Sequence, residues 1–190
     1  MSVARGPVGR RISVWGVTGA GKTTLSRELG ARLGLAVIEL DALRHRRGWD
    51  STSYEELRPQ LAARLDAAVD GWVCDGLYSK LMDVYLPRID TLIILDPPWV
   101  RSFARLLRRT LGRGVARARL YGPEGPRESL AVTFFSRESI LWWSIRTHRQ
   151  KRRTFAERRA TLPASVRVLV LRRQRDVDAL LAAVASSSAA

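Results

Sequence analysis

The sequence is poor in cysteine and histidine, with one cysteine, Cys74, and two histidines, His45 and His148, among its 190 residues. One cysteine excludes an internal disulfide and a multi-cysteine metal site, and two distant histidines argue against a zinc site. The chain also lacks a run of about 18 apolar residues, so no membrane-spanning segment is expected. Its basic start, MSVARGPVGRR, has no apolar core of the secretory type. These absences predict a cytoplasmic protein.

Acidic residues are scarce as well: 18 Asp and Glu are outnumbered by 33 Lys and Arg, which gives a formal charge of +15. The excess is uneven along the chain. Residues 1–100 contain 13 basic against 12 acidic residues, whereas residues 101–153 contain 14 against 3. Positive charge concentrated in one segment favours a local surface that faces an anion.

The length fits one domain over residues 1–190, with loose ends at about 1–10 and 185–190. Apolar runs alternate with amphipathic stretches, which predicts an α/β protein with a parallel, doubly wound sheet. The predicted strands are Arg11–Trp15, Ala36–Leu40, Trp72–Asp75, Thr91–Leu95 and Val166–Leu171. The predicted helices are one ending near Leu33, one capped by Ser53 and reaching Asp70, and others at about 80–86, 99–111, 129–159 and 175–184. Ligands of such sheets bind beyond the carboxyl ends of the strands, where Asp41, Asp75 and Asp96 fall.

The stretch GVTGAGKTT follows the first predicted strand and matches the phosphate-loop pattern G-x-x-x-x-G-K-[ST] at every position. Its glycines let several backbone N–H groups converge on phosphate oxygens, and the loop feeds the positive end of a helix. The pattern predicts ATP binding, with Lys22 reaching the β- and γ-phosphates and the Thr23 hydroxyl coordinating Mg²⁺. The residues expected to bind the nucleotide are Gly16, Thr18, Gly19, Ala20, Gly21, Lys22, Thr23 and Thr24.

Several further stretches, together with the phosphate loop, resemble the adenylate-kinase-like P-loop kinases. WVCDGLYSK looks like their strand that ends in Asp-Gly, and ELDAL is similar to the second-strand Asp of their small-molecule kinases. With DTLIILDPPW and the arginine-rich later half, the sequence is most similar to the bacterial DNA topology modulation proteins, over nearly its whole length. The resemblance implies a P-loop fold with strand order 2-3-1-4-5, and it implies that Asp75 holds Mg²⁺ through water.

The acceptor side departs from adenylate kinases. Their Asp-Gly pair is followed by an aromatic residue, Pro and an Arg that grips the acceptor phosphate. Here Leu77, Tyr78 and Ser79 follow, with Lys80 one step later. Lys80 is the candidate to replace that arginine as a point charge, but a lysine lacks the bidentate fork, so the pattern supports an ordinary nucleoside monophosphate less than it would with arginine. Asp41 is the candidate for orienting or deprotonating an acceptor hydroxyl, with a turn or helix cap as the alternative. Asp96, before two prolines, is interpreted as a turn residue.

The arginine-rich segment predicts a lid over the transferring phosphate, at about residues 112–130. Arg109 and Arg113 have the best positions for a catalytic role, at the end of the helix after the fourth strand. A solvated basic face is the alternative for most of the other arginines. Those considered for phosphate contact are Arg108, Arg117, Arg119, Arg137, Arg146, Arg149 and Arg153.

The sequence is compatible with three classes of function. The first is an ATP- and Mg²⁺-dependent kinase that acts on a small nucleotide or hydroxylated metabolite. The second is a nucleotide-dependent ATPase or regulator that binds nucleic acid through its basic surface. A nucleotide-binding module without turnover is a third, weaker reading. The pattern leaves open the acceptor, the base of the donor nucleotide and the oligomeric state.

Overall fold

A computed structural model describes residues 6–44, 52–115 and 140–188. Its central feature is a sheet of five strands, all parallel, in the order β2-β3-β1-β4-β5. This confirms the predicted α/β fold and strand order. The strands are β1 (Arg11–Gly16), β2 (Ala36–Glu39), β3 (Trp72–Asp75), β4 (Thr91–Leu95) and β5 (Arg167–Leu171).

Strand β1 occupies the middle of the sheet, since Ile12 is in register with Val73 of β3 on one side and with Thr91 of β4 on the other. Every residue of β3 and β4 is buried. Apolar residues predominate in both strands because helices cover both faces of a parallel sheet. Burial raises the pKa of the Cys74 thiol in β3, because an apolar environment disfavours the charged thiolate.

Helices connect the successive parallel strands. They are α1 (Lys22–Leu33), α2 (Leu40–Arg44), α3 (Tyr54–Ala67), α4 (Met82–Tyr85), α5 (Trp99–Val115), α6 (Ile140–Ala160) and α7 (Gln174–Ser188). Helix α3 begins as predicted, with the Ser53 hydroxyl accepting a hydrogen bond from the Glu56 N–H. Short 3₁₀ turns flank α4, at Ser79–Leu81 and Leu86–Arg88.

Some predicted element ends differ from the structure. Strand β2 stops at Glu39, and Asp41 lies in the first turn of α2 instead of following a strand. Helix α5 continues through two glycines to Val115, because a glycine weakens a helix interior by about 1 kcal/mol but does not break it. Helix α7 continues to Ser188, four residues beyond the predicted end.

The core joins the sheet to its helices through large side chains. Trp15 of β1 is fully buried, donates a hydrogen bond of 2.9 Å to the Ser13 hydroxyl and lies 6.0 Å from the Phe155 ring of α6. This contact packs the second half of α6 against the middle strand. Residues 112–115 of the predicted lid belong to α5, whereas 116–130 and Arg117, Arg119 and Arg137 lie outside the described residues. Among the helices that the structure describes, none is long and apolar enough to cross a membrane.

Candidate functional site

The phosphate-loop residues lie between the end of β1 and the start of α1. Gly19 and Gly21 have φ values of 81° and 100°, a left-handed conformation that favours glycine. A Cβ on Gly19 would overlap the backbone carbonyl oxygen of Ser102 in α5. The loop therefore needs glycine there both for its backbone angle and for the close approach of α5.

The first turn of α1 is suited to an anion. Gly21 occupies the N-cap position, so no side chain caps the helix, and the first turn contains no acidic residue. Backbone N–H groups and the helix dipole favour a negative group at such a helix end. Lys22 lies in this turn, with its Nζ 3.4 Å from the Val17 carbonyl oxygen across the loop. A phosphate placed at the loop would be within the reach of both the backbone and this ammonium.

Thr23 and Asp75 meet at the carboxyl edge of the sheet. The Thr23 hydroxyl donates a hydrogen bond of 2.6 Å to Asp75 Oδ2. Asp75 is 6 % exposed, and its other oxygen, Oδ1, is buried without a hydrogen-bond partner among the described residues. Burial raises the pKa of Asp75, opposed chiefly by the positive charge of Lys22.

This pair fits a magnesium ion. A buried carboxylate oxygen without a partner is rare unless an ion or water satisfies it. Magnesium prefers oxygen ligands and is commonly held by one or two protein groups together with waters and substrate phosphates. The Thr23 hydroxyl and the free oxygen of Asp75 supply such groups beside the phosphate loop. The residues present are therefore compatible with the predicted cofactor.

Asp41 lies on the same edge of the sheet. Its charge contributes to the raised pKa of Asp75, so the two carboxylates are electrostatically coupled. The Asp41 side chain is exposed, and its Oδ1 accepts a hydrogen bond of 2.6 Å from the Tyr78 hydroxyl. An exposed carboxylate that is close enough to interact with Asp75 is chemically able to bind the hydroxyl of an incoming molecule.

The remaining predicted site residues fall into two groups, those of the phosphate loop and two arginines of α5. Thr18 is half-buried, Ala20 is buried and Thr24 is exposed, all within or beside the loop. Arg109 and Arg113 belong to helix α5. Their backbone is described, and their side chains are not. The structure therefore brings Lys22, Thr23, Asp41 and Asp75 together, and it leaves the two arginines as predictions.

Two basic residues near the site were missed in the sequence. Nη1 of Arg105, in α5, lies 3.8 Å from the position that a Cβ of Gly21 would occupy, and its Nη2 donates a 3.1 Å hydrogen bond to Gln174 Oε1. Arg105 precedes Arg109 by four residues, so helical spacing could have identified it. Lys151 of α6 has a pKa lowered to about 8, mainly by burial and next by Lys22, with Asp41 opposing the shift.

Asp96, interpreted from sequence as a turn residue, has a second role. Its Oδ2 accepts a hydrogen bond of 2.8 Å from Arg152 Nη2 of α6, and Nε of Arg172 lies 4.0 Å from the same oxygen. The Asp96 side chain is only 13 % exposed. This carboxylate therefore connects the end of β4 to α6, a contact between residues 56 apart in sequence that no local pattern indicates.

Comparison with known proteins yields structural relatives only. No family model matches the chain, and no curated protein matches it either. An unliganded sugar kinase from Janibacter sp. HTCC2649 is similar with a TM-score of 0.50 and 21 % identity, over 91 % of this chain and 90 % of that one. A gluconokinase from Sinorhizobium meliloti 1021 aligns with a TM-score of 0.48 and 17 % identity, over 97 % and 94 %. The similarity to the sugar kinase shows a shared P-loop kinase-like fold.

Proposed function

We propose that the protein is an ATP- and Mg²⁺-dependent phosphotransferase, which moves the γ-phosphate of ATP to a small nucleotide or hydroxylated metabolite. The observation that carries the proposal is the convergence of Lys22, Thr23, Asp75 and Asp41 at the carboxyl ends of parallel strands. The first three form a triphosphate and magnesium site, and Asp41 adds a carboxylate for an acceptor. A site for ATP binding alone would not require Asp41.

Each residue has a separate task in the proposed reaction. The loop backbone and Lys22 hold the β- and γ-phosphates. Thr23 and, through water, Asp75 hold Mg²⁺, which when bound neutralises charge between the two phosphates. Asp41 orients the acceptor hydroxyl or takes its proton. Arg109 and Arg113 are proposed to contact the transferring phosphoryl group from the end of α5.

Several observations bear on the class of acceptor. The charge of Lys22 acts on Asp75 and on Lys151, and the charge of Asp41 acts on Lys151, so two ammonium groups lie near these two carboxylates. The sugar kinase with the same fold is named for a hydroxylated substrate. We propose that the acceptor combines a hydroxyl group with a negative charge, as sugar acids and nucleotides do. Within the P-loop kinases, the motif resemblance supports a placement beside the DNA topology modulation proteins. The proposed location is the cytoplasm, because a single cysteine is typical of a reducing compartment.

The test is acceptor-stimulated ADP release from the purified protein with Mg-ATP. The panel contains nucleoside monophosphates, nucleosides, neutral sugars, sugar acids and duplex DNA. One small acceptor should stimulate release; Lys22→Ala should lower kcat by about 10²–10³-fold and Asp41→Asn by about 10²–10⁴-fold. Retained stimulation in both variants would contradict the assignment of the site.

Stimulation by DNA alone would favour the second candidate, an ATPase or regulator that binds nucleic acid. A specific feature supports that candidate: several arginines are exposed, namely Arg153, Arg158 and Arg159 on α6 and Arg172 and Arg173 after β5. Its signature is an affinity for DNA that falls steeply with salt, by about 0.9 log units per phosphate neutralised for each log unit of salt.

A further inference from the structure

The contact between Tyr78 and Asp41 joins the loop after β3 to the first turn of α2. The Tyr78 hydroxyl lies 2.6 Å from Asp41 Oδ1 and donates a hydrogen bond to it. This is the distance range of a charge-assisted bond from a hydroxyl to a carboxylate. The second oxygen, Asp41 Oδ2, makes no hydrogen bond within the described part of the chain. One oxygen of the carboxylate is thus held while the other is left for a ligand.

The Tyr78 ring is itself held by its neighbours. It contacts the Tyr54 ring edge to face, with centroids 6.3 Å apart and an interplanar angle of 61°. The Arg44 guanidinium lies 4.1 Å from the Tyr54 centroid and 5.6 Å from that of Tyr78. Lys80 Nζ lies 4.9 Å from the Tyr54 ring. Aromatic and cation–π contacts of this kind restrict ring orientation, so the phenol hydroxyl is placed in advance.

Such a fixed donor matters because Asp41 is exposed. An exposed aspartate rotates among its rotamers in water, and each wrong rotamer lowers the fraction of encounters in which the carboxylate meets the acceptor. A hydrogen bond from a fixed ring removes that freedom without occupying both oxygens. The adenylate-kinase pattern has Pro at the place of Tyr78, so this contact belongs to the stretch where the sequence departs from that pattern.

We propose that Tyr78 is a positioning residue for Asp41, and this inference rests on the proposed phosphotransferase function. Tyr78 holds Oδ1 so that Oδ2 receives the acceptor hydroxyl. In the reaction the acceptor oxygen forms a bond to the γ-phosphorus, and the bond from that phosphorus to the β–γ bridging oxygen breaks. The electron pair of the broken bond leaves with ADP, and the acceptor proton passes to Asp41 Oδ2 and then to water.

The test compares Tyr78→Phe with Tyr54→Phe. Both changes remove one phenol hydroxyl and keep both rings in place, but only Tyr78 donates to Asp41. Acceptor-stimulated ADP release should show kcat lowered by about tenfold in Tyr78→Phe, with the KM for ATP unchanged. Tyr54→Phe should stay within about twofold of the unmodified protein in both constants.

A double-mutant cycle with Asp41→Asn separates positioning from a general loss of fold. If Tyr78 acts through Asp41, adding Tyr78→Phe to Asp41→Asn should lower kcat no further. If Tyr78→Phe lowers kcat by the same factor with and without the Asp41 carboxylate, the proposal is overturned. Equal kcat and KM values for Tyr78→Phe and Tyr54→Phe would overturn it as well. If the unmodified protein responds to no acceptor, the proposed function fails first and this role with it. If the unmodified protein responds and Tyr78→Phe responds with an undiminished kcat, only the positioning role fails.

Discussion

The single residue Asp75 shows that a side chain placed for ligand binding can lower the stability of the fold. Its carboxylate is buried, has one oxygen paired with Thr23 and one without a partner among the described residues, and has a raised pKa. Each of these features costs folding free energy. Residues that break local rules of this kind concentrate at functional sites, because a ligand supplies the missing partner. Lys151, whose amine lies near Lys22 and Asp41, likewise has a pKa shifted chiefly by burial.

Lys151 should make stability depend on pH in a defined window. Its pKa is lowered from 10.5 to about 8 in the folded protein, chiefly by burial. Below pH 8 the amine is charged in both states, so the burial penalty is fully present. Between about pH 8 and 10.5 the folded state releases the proton that the unfolded state keeps, so the penalty is relieved as pH rises.

Lys151→Met should therefore raise the free energy of unfolding at pH 7 by about 1 kcal/mol, and the gain should shrink towards pH 10. Urea unfolding between pH 7 and 10 measures both. Arg153→Met, which removes an exposed charge from the same helix, is the control and should give a difference independent of pH. A gain from Lys151→Met that stays constant over this range would contradict the buried-amine explanation.

Among the helices, α6 is attached to the sheet by contacts between residues that are distant in sequence. Phe155 packs on Trp15 of the middle strand, and Arg152 pairs with Asp96 at the end of β4. This helix also contains Lys151, so its attachment decides whether that amine stays near the site. Arg152 and Arg172 approach the same oxygen of Asp96, which makes this carboxylate the shared link between α6 and the end of β5.

Asp96→Asn should weaken this attachment. The variant keeps the size of the side chain but removes the negative charge, and we expect a loss of about 1–2 kcal/mol in the free energy of unfolding. Amide hydrogen exchange should quicken in α6 more than in α1. The matched control is Asp66→Asn, which removes a more exposed carboxylate, 66 % accessible, from its pair with Arg88. A surface pair of this kind contributes at most about 0.5 kcal/mol. Equal losses in the two variants would show that Asp96 is an ordinary surface partner.

The elements that could be predicted are those encoded locally. The phosphate loop, the five strands and the Ser53 cap depend on neighbouring residues, and the structure contains each of them. The contacts of Asp41 with Tyr78 and of Asp96 with Arg152 span 37 and 56 positions. No periodicity encodes such pairs, since they arise when the sheet places distant strand ends side by side. Strand β2 was predicted one residue too long because Leu40, the first residue of α2, is apolar like the strand residues that precede Glu39.

In the whole molecule, the phosphate loop connects the middle strand of the sheet to the helix that follows it. It follows β1, which pairs with β3 and β4, and it begins α1, which packs on the sheet. A ligand at the loop therefore bridges the middle strand and a helix that covers it. Whatever binds the folded loop but not the unfolded chain must stabilise the entire sheet by mass action.

Mg-ATP at about 100 times its Kd should accordingly add about 2.7 kcal/mol to the free energy of unfolding, which for a chain of this size raises Tm by about 5–10 °C. Thermal unfolding with and without Mg-ATP measures the shift. Lys22→Ala should lose most of this shift, whereas Arg64→Ala, which removes an exposed charge on α3, should retain it in full.

Thr23→Val should keep the part of the shift that ATP produces without Mg²⁺ and lose the increment that Mg²⁺ adds. The reason is that the Thr23 hydroxyl and the Asp75 carboxylate it contacts form the proposed metal site. An undiminished magnesium increment in Thr23→Val would place the ion elsewhere, and an undiminished ATP shift in Lys22→Ala would remove the phosphate loop from the proposed function.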